Sequence, residues 1–232
     1  MASHGKQRHM KRIAAPVARG LSPKGSVWVT KGIAGPHRAK KSIPLNVLLR
    51  DVLKIAETSK QARSVVKSGE VLVDGRSIND EQFCVGLMDV VSVPKPGTHY
   101  RMVITAGVLK PIPITAEEAK LKYCRVQGKR FVAKGKTQLN MHDGRCVILE
   151  KTDAKPGDTL VFSLPKQEIK SHLKREKGCR CLVFRGKHSG FMANLEDIME
   201  RARSKESDAR LVGGIITLKN YLFVVDDKFK IE

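Results

Sequence analysis

Apolar residues recur at helical spacing over 43–56. Leu45, Leu48, Leu49, Val52, Leu53 and the pair Ile55–Ala56 fall on one face, and Pro44 stands near the start. The spacing predicts a helix. A shorter one is predicted over roughly 59–68, where Thr58 and Gln61 stand at capping-box spacing, Ala62, Val65 and Val66 point to a core, and Gly69 can take the left-handed stop. Lys60, Arg63 and Lys67 stand at i, i+3 and i+7 on another face. The period then changes to that of a strand in EVLV at 70–73, Asp74-Gly75 makes a tight turn, and Arg76 follows. DVVSV at 89–93 reads as a further strand, and Pro94, Pro96 and Gly97 mark a boundary.

From 98 onward strand patterns dominate. YRMVITA, RFVAKG, TQLNMHDGRCVILEK and DTLVFSLP alternate or cluster apolar residues between turns at Asp143-Gly144 and Pro156-Gly157-Asp158. One helical turn is predicted after Thr115, with Glu118 at capping-box spacing. Beyond 170, CRCLVF leads into a loop bounded by Gly186 and Gly190, and LVGGIITLKNYLFVVDD supplies closing strands. The charged run EDIMERARSKESDAR between them reads as a solvated face, either a short helix or a loop.

Charge changes this picture. The chain of 232 residues carries 44 Lys+Arg against 23 Asp+Glu, a formal +21. Self-repulsion on that scale calls for a polyanionic partner, nucleic acid before an anionic membrane surface. The first acid is Asp51, so residues 1–50 form an acid-free stretch with eleven Lys and Arg. Residues 1–42 are broken by Gly and Pro and have no amphipathic helical repeat, which argues against an import presequence. Such an arm is expected to be extended and largely disordered until it meets its partner. No apolar run approaches the roughly 18 residues that span a bilayer, and no hydrophobic signal region follows the basic start, so a soluble intracellular protein is expected. Five scattered cysteines (Cys84, Cys124, Cys146, Cys179, Cys181) suit free thiols, and neither Cys179-x-Cys181 nor the seven histidines have metal-ligand spacing.

The stretch LLRDVLKIAETSKQARSVVKSGEVLVDGR, with the later LMDVVSV, resembles the small α-L RNA-binding domain of ribosomal proteins, pseudouridine synthases and tRNA synthetases. The resemblance implies that Lys60, Arg63, Lys67 and Arg76 contact phosphates of structured RNA, whose base edges are hidden and whose backbone is read instead. VFRGKHSG at 183–190 resembles the KOW motif, a strand-loop-strand of a small β-barrel, with Lys187 and His188 at the loop tip. Arg185 stands where that family usually has a second glycine. The ordered segments HMKRIAAP, GPHRAKKSIPL, GLMDVVSV, ITAEEAKLKYCRV, QLNMHDGR and TLKNYLFVVDD together resemble the ribosomal protein S-four-e family of the archaeal and eukaryotic small ribosomal subunit. The short C-terminus is more similar to archaeal members.

The expectation is a multidomain α+β chain. It has a basic extended arm at 1–42, an α-L RNA-binding domain at 43–97, a central mostly-β domain at 98–170 and a KOW-type small β-barrel at 171–232. Its implied partners are small-subunit rRNA and other small-subunit ribosomal proteins, in the cytoplasm. A membrane, an independent homo-oligomer, a cofactor, a metal and a catalytic role are not expected. The RNA-binding residues expected in the arm are Lys6, Arg8, Lys11, Arg12, Arg19, His37, Arg38, Lys40 and Lys41. His142-Asp143 suggests a dyad, yet an Asp at such a turn more commonly stabilises the turn itself. GxSxG, Walker and metal-cluster motifs are missing from the sequence. An RNA-modifying enzyme would need a large catalytic domain beyond 95, and a KOW-bearing transcription factor would need a polymerase-binding domain before the barrel. These are the two alternatives.

Overall fold

The Ser59–Lys67 helix shows how local chemistry sets an element. Thr58 Oγ1 accepts from the Gln61 N–H (3.2 Å), and Gln61 Oε1 accepts from the Thr58 N–H (3.0 Å). This reciprocal cap satisfies donors that a helix start otherwise leaves open. Gly69 stops the helix at φ +75°. Ala62 and Val66 are buried, while the cations on the other face are exposed.

The computed structural model describes residues 9–93, 97–150, 152–199, 207–227, 229 and 231. They divide into two compact units, residues 1–102 with 108–113, and residues 103–107 with 114–232.

In the first unit, the α-helix Leu45–Val47 continues into a wider π-helical turn, Leu48–Val52, closed by the Leu53 N–H on Leu48 O (2.8 Å). Leu45, Val47, Leu48 and Leu49 are fully buried. A five-stranded sheet follows in the order Arg76–Ser77, Leu72–Val73, Val90–Val93, Thr98–Thr105, Val108–Ile114, the last two strands belonging to this unit through residues 98–102 and 108–113. Its first hairpin turns at Asp74-Gly75, with φ of +52° and +75°. Buried Asp74 holds that turn by accepting the Val90 N–H at 3.0 Å.

The arm is more ordered than its sequence suggests. Met10–Lys11 pairs antiparallel with Trp28–Val29, and short 3-10 turns form at Arg12–Ala14, Val17–Arg19 and Ala39–Lys41. The Ile33 N–H donates to Gln82 O (3.1 Å), which ties the arm to the unit.

The second unit contains two five-stranded antiparallel sheets among its described residues. One runs Cys146–Leu149, Thr137–Met141, Leu121–Phe131, Thr159–Ser163, Glu168–Leu173. The long Leu121–Phe131 strand pairs with Thr159–Ser163 through its first half and with Thr137–Met141 through its second. Its core is Cys124, Val126, Leu139, Met141, Leu160 and Phe162. The other sheet runs Ile215–Leu218, Asp208–Leu211, Met192–Met199, Arg180–Val183, Leu222–Val224, over a core of Cys181, Val183, Leu195, Ala209, Leu211, Leu222 and Val224. The charged run expected as a helix or loop has strands at both its ends, with Ile198 opposite Ala209 and Met199 opposite Asp208. Residues 200–206 of that run lie outside the described residues. Glu196 and Asp197 sit on exposed positions of the first strand, so its polar face outweighs the apolar one in the sequence.

Candidate nucleic-acid interface

Lys60, Arg63 and Lys67 all emerge on the exposed face of the capped helix, and Arg76 is exposed on the hairpin after it. Beside them lies a cleft of about 720 Å³, lined by Arg63 and Lys67 on the helix and by residues 77–83 of the following loop. Glu81 bridges the two sides. Its Oε1 accepts from Arg63 Nε (2.7 Å), and its Oε2 accepts from the amide of buried Asn46 (2.7 Å). Burial opposes ionisation of Glu81, but the bonds from Arg63 and Asn46, with the charges of Arg63 and Lys67, outweigh it and hold the carboxyl below its usual range. The carboxylate thus fixes the Arg63 fork at the rim, while more than half of the Arg63 side chain remains exposed. Fixed guanidinium and mobile ammonium groups on one rigid face are suited to phosphate oxygens.

The arm cations separate into two kinds. Lys11, Arg38, Lys40 and Lys41 are exposed. Arg12 is half-buried and braces the arm, donating to Ser22 O (2.6 Å) and Ser26 Oγ (3.1 Å). Arg19 is turned fully inward, with Nε on Ser42 O and Nη1 on Thr30 O, both at 3.3 Å. Burial pulls its pKa down. His37 is also enclosed. Its Nε2 lies 2.8 Å from Asp89 Oδ2, and its ring sits on Gly86, where a Cβ would collide with it. Arg19 and His37 therefore fasten the arm from within, unlike the exposed cations expected beside them. Lys6 and Arg8 lie outside the described residues.

Sequence reasoning passed over Trp28. It is 57% exposed, with Lys11 Nζ 5.9 Å from its ring centroid and His9 edge-on to it at 5.9 Å. An exposed indole face beside a lysine has the shape and chemistry on which unpaired bases stack. The available signal was the chain's one tryptophan within its acid-free stretch.

In the second unit Lys187 and His188 are exposed at the tip of the 184–190 loop. Gly186 and Gly190 take φ of +89° and +95° there. Arg185 lays its guanidinium over Tyr221, 5.3 Å from the ring centroid, so a side chain is accommodated where a glycine was expected.

His142 and Asp143 form no catalytic dyad. Asp143 accepts the Arg145 N–H (3.2 Å) across the turn and pairs with Lys122 Nζ and Arg145 Nε, both at 3.0 Å. His142 Nδ1 accepts from the Arg125 N–H (3.2 Å). Cys124, His142 and Asp143 bring three potential ligand atoms within 4.8 Å of one another. The Asp143 carboxylate, however, is already neutralised by two cations and also accepts from Cys124 Sγ at 3.5 Å.

The profile of Ribosomal family S4e matches residues 96–169, and that of the S4 domain matches residues 43–91. The small ribosomal subunit protein eS4 of Methanothermobacter thermautotrophicus is 38% identical over 97% of this chain and 95% of its own. That of Korarchaeum cryptofilum is 41% identical over 85% of each. The crystal structure of the 30S ribosomal protein S4e from Thermoplasma acidophilum superposes with a TM-score of 0.73 at 28% identity, over 81% of this chain and 96% of that one.

Proposed function

Because the chain belongs to ribosomal family S4e, we propose that it is a structural constituent of the small ribosomal subunit and binds rRNA through its basic surfaces. It works in the cytoplasmic ribosome and is not an enzyme, in keeping with relatives named for the small subunit. Among the described residues no helix is long and apolar enough to cross a membrane.

The observation that carries the RNA-binding reading is the capped helix. Its exposed Lys60, Arg63 and Lys67, with Arg76, stand beside an open cleft inside the stretch that matches the S4 domain. These four side chains hold backbone phosphates. Lys11, Arg12, Arg38, Lys40 and Lys41 add charge from the arm, Trp28 stacks on an unpaired base, and Lys187 and His188 reach RNA from the tip of a KOW-type barrel. Lys6 and Arg8 extend the same basic arm. Residues 1–42, 43–97, 98–170 and 171–232 act as arm, α-L domain, central β domain and barrel, and the partners are rRNA and neighbouring small-subunit proteins rather than a second copy.

Sedimentation tests this. The endogenous protein should remain with the small subunit through a sucrose gradient at high salt, and migration as a free protein would reject the proposal.

A further inference from the structure

We propose that a cleft in the second unit, lined by Lys129, Lys155, Lys174 and Arg175, is a further phosphate site that takes the phosphodiester backbone of rRNA. This rests on the RNA-binding reading above and adds a surface that neither the S4 stretch nor the arm contains.

The cleft measures about 470 Å³, enough for a nucleotide unit. Three separate segments bring cations to it. The Leu121–Phe131 strand delivers Lys129, half-buried, whose Nζ is held by Thr152 O at 2.7 Å. The 155–158 turn brings Lys155, and the chain after the Glu168–Leu173 strand brings Lys174 and Arg175. Asp158 joins the last two segments. Its carboxylate accepts from the Lys155 N–H (2.9 Å), the Arg175 N–H (3.1 Å) and His172 Nε2 (2.9 Å). That acid is thus held by the scaffold, and its charge still acts on Arg175 beside it. The other two acids of the lining, Asp153 and Glu176, are exposed.

Arg175 is placed with particular care. Its guanidinium lies against Gly157, which has φ +102° and whose missing Cβ leaves the room that Nη1 occupies. Nη2 donates to Pro156 O at 3.1 Å. One of its five N–H groups is thereby used, and the fork is pre-oriented. Among the described residues neither Arg175 nor Lys129 forms an ion pair with a carboxylate. Nearby Arg125 has its Nε enclosed without a hydrogen-bond partner. Burial first, and the like charge of Arg175 second, pull Arg125 down to about 10. Four cations face three acids in this lining, and Arg125 adds a further positive charge beside Arg175, so an excess of positive charge leaves a position for an anion. Within a chain of formal charge +21, RNA phosphate is the anion the whole surface attracts.

The test uses the full chain and a small-subunit rRNA transcript, with Kd measured from about 50 to 200 mM salt. Lys129→Ala with Arg175→Ala should weaken binding roughly tenfold or more, and the log–log salt slope should become shallower by about one for each lost contact. Lys155→Ala with Lys174→Ala, both at exposed positions, should shift affinity and slope in the same direction without altering the melt. Gly157→Ala keeps every charge yet displaces the guanidinium, so it should weaken binding as well. Unchanged affinity and slope in these variants, with a steeply salt-dependent wild type, would overturn the cleft and leave the wider reading standing. A flat salt response of the wild type would overturn both. Protection of the cleft by inorganic phosphate or AMP alone, with RNA affinity the same in all variants, would assign it to a free small anion and also overturn the proposal.

Discussion

Asp143→Asn should be among the most damaging single-atom changes in the second unit. Asp143 and Lys122 are each only 1% exposed and lie 3.0 Å apart, and Arg145 closes the other side of the carboxylate at the same distance. Burial raises the cost of charging Asp143, but Lys122, His142 and Arg145 outweigh it and hold the group below the usual carboxylate range. The amide keeps the shape and removes the charge, leaving the buried Lys122 ammonium without its carboxylate. A broken buried pair costs about 3–5 kcal/mol, several times what a surface pair is worth. At about 2–4 °C per kcal/mol for a chain of this size, the calorimetric transition should fall by roughly 6–20 °C at pH 7. Lys122→Met should cost less, because Asp143 keeps Arg145. The pH dependence has a definite sign. A carboxyl depressed in the folded state stabilises fully above its unfolded pKa of about 3.9 and loses that contribution as pH falls toward the folded value. The gap between wild type and Asp143→Asn should therefore narrow below about pH 4. A gap of under a degree at pH 7, or one of full size at pH 3, would refute the reasoning.

Three further outcomes are expected. Glu81→Gln frees Arg63 and removes one negative charge from the helix cleft, so rRNA affinity should rise about twofold, with a steeper salt slope in filter binding; an affinity loss would mean the Arg63–Glu81 pair is itself the recognised shape. Gly86→Ala places a Cβ in the His37 ring, so the arm should detach and protease cleavage within 30–42 should accelerate, whereas Gly128→Ala, whose Cβ meets only Asn140 Nδ2 at 3.9 Å, should not affect it. Trp28→Ala removes one stacking surface, worth about 1–3 kcal/mol, and should weaken rRNA binding without moving the melt; equal affinity would leave the indole without a role in binding.

Much of the S4 stretch was legible because its signals are local. A capping box needs only Thr58 and Gln61, and a hairpin turn only Asp74-Gly75. The exposed cations followed once the helix phase was set. Other features depend on partners far along the chain. Arg19 reads as an arm cation until Ser42 and Thr30 carbonyls are seen around it, and His37 meets Asp89 across 52 intervening steps. Lys122 lies in a strand whose sequence gives no hint of Asp143 beneath it. The Met192–Met199 strand was obscured because its exposed acids outnumber its buried residues. The cationic cleft around Arg175 needs the 156–158 turn, the Lys129 strand and the chain after the Glu168–Leu173 strand together, and no short motif encodes that convergence.

The central claim is that the helix face reads RNA backbone. Lys60→Ala, Arg63→Ala and Lys67→Ala combined, measured by filter binding to small-subunit rRNA across about 50–200 mM salt, test it most directly. The account predicts weaker binding, a salt slope shallower by up to about three, and an unchanged thermal melt. Wild-type affinity and slope in the triple variant, or a collapsed melt, would contradict it.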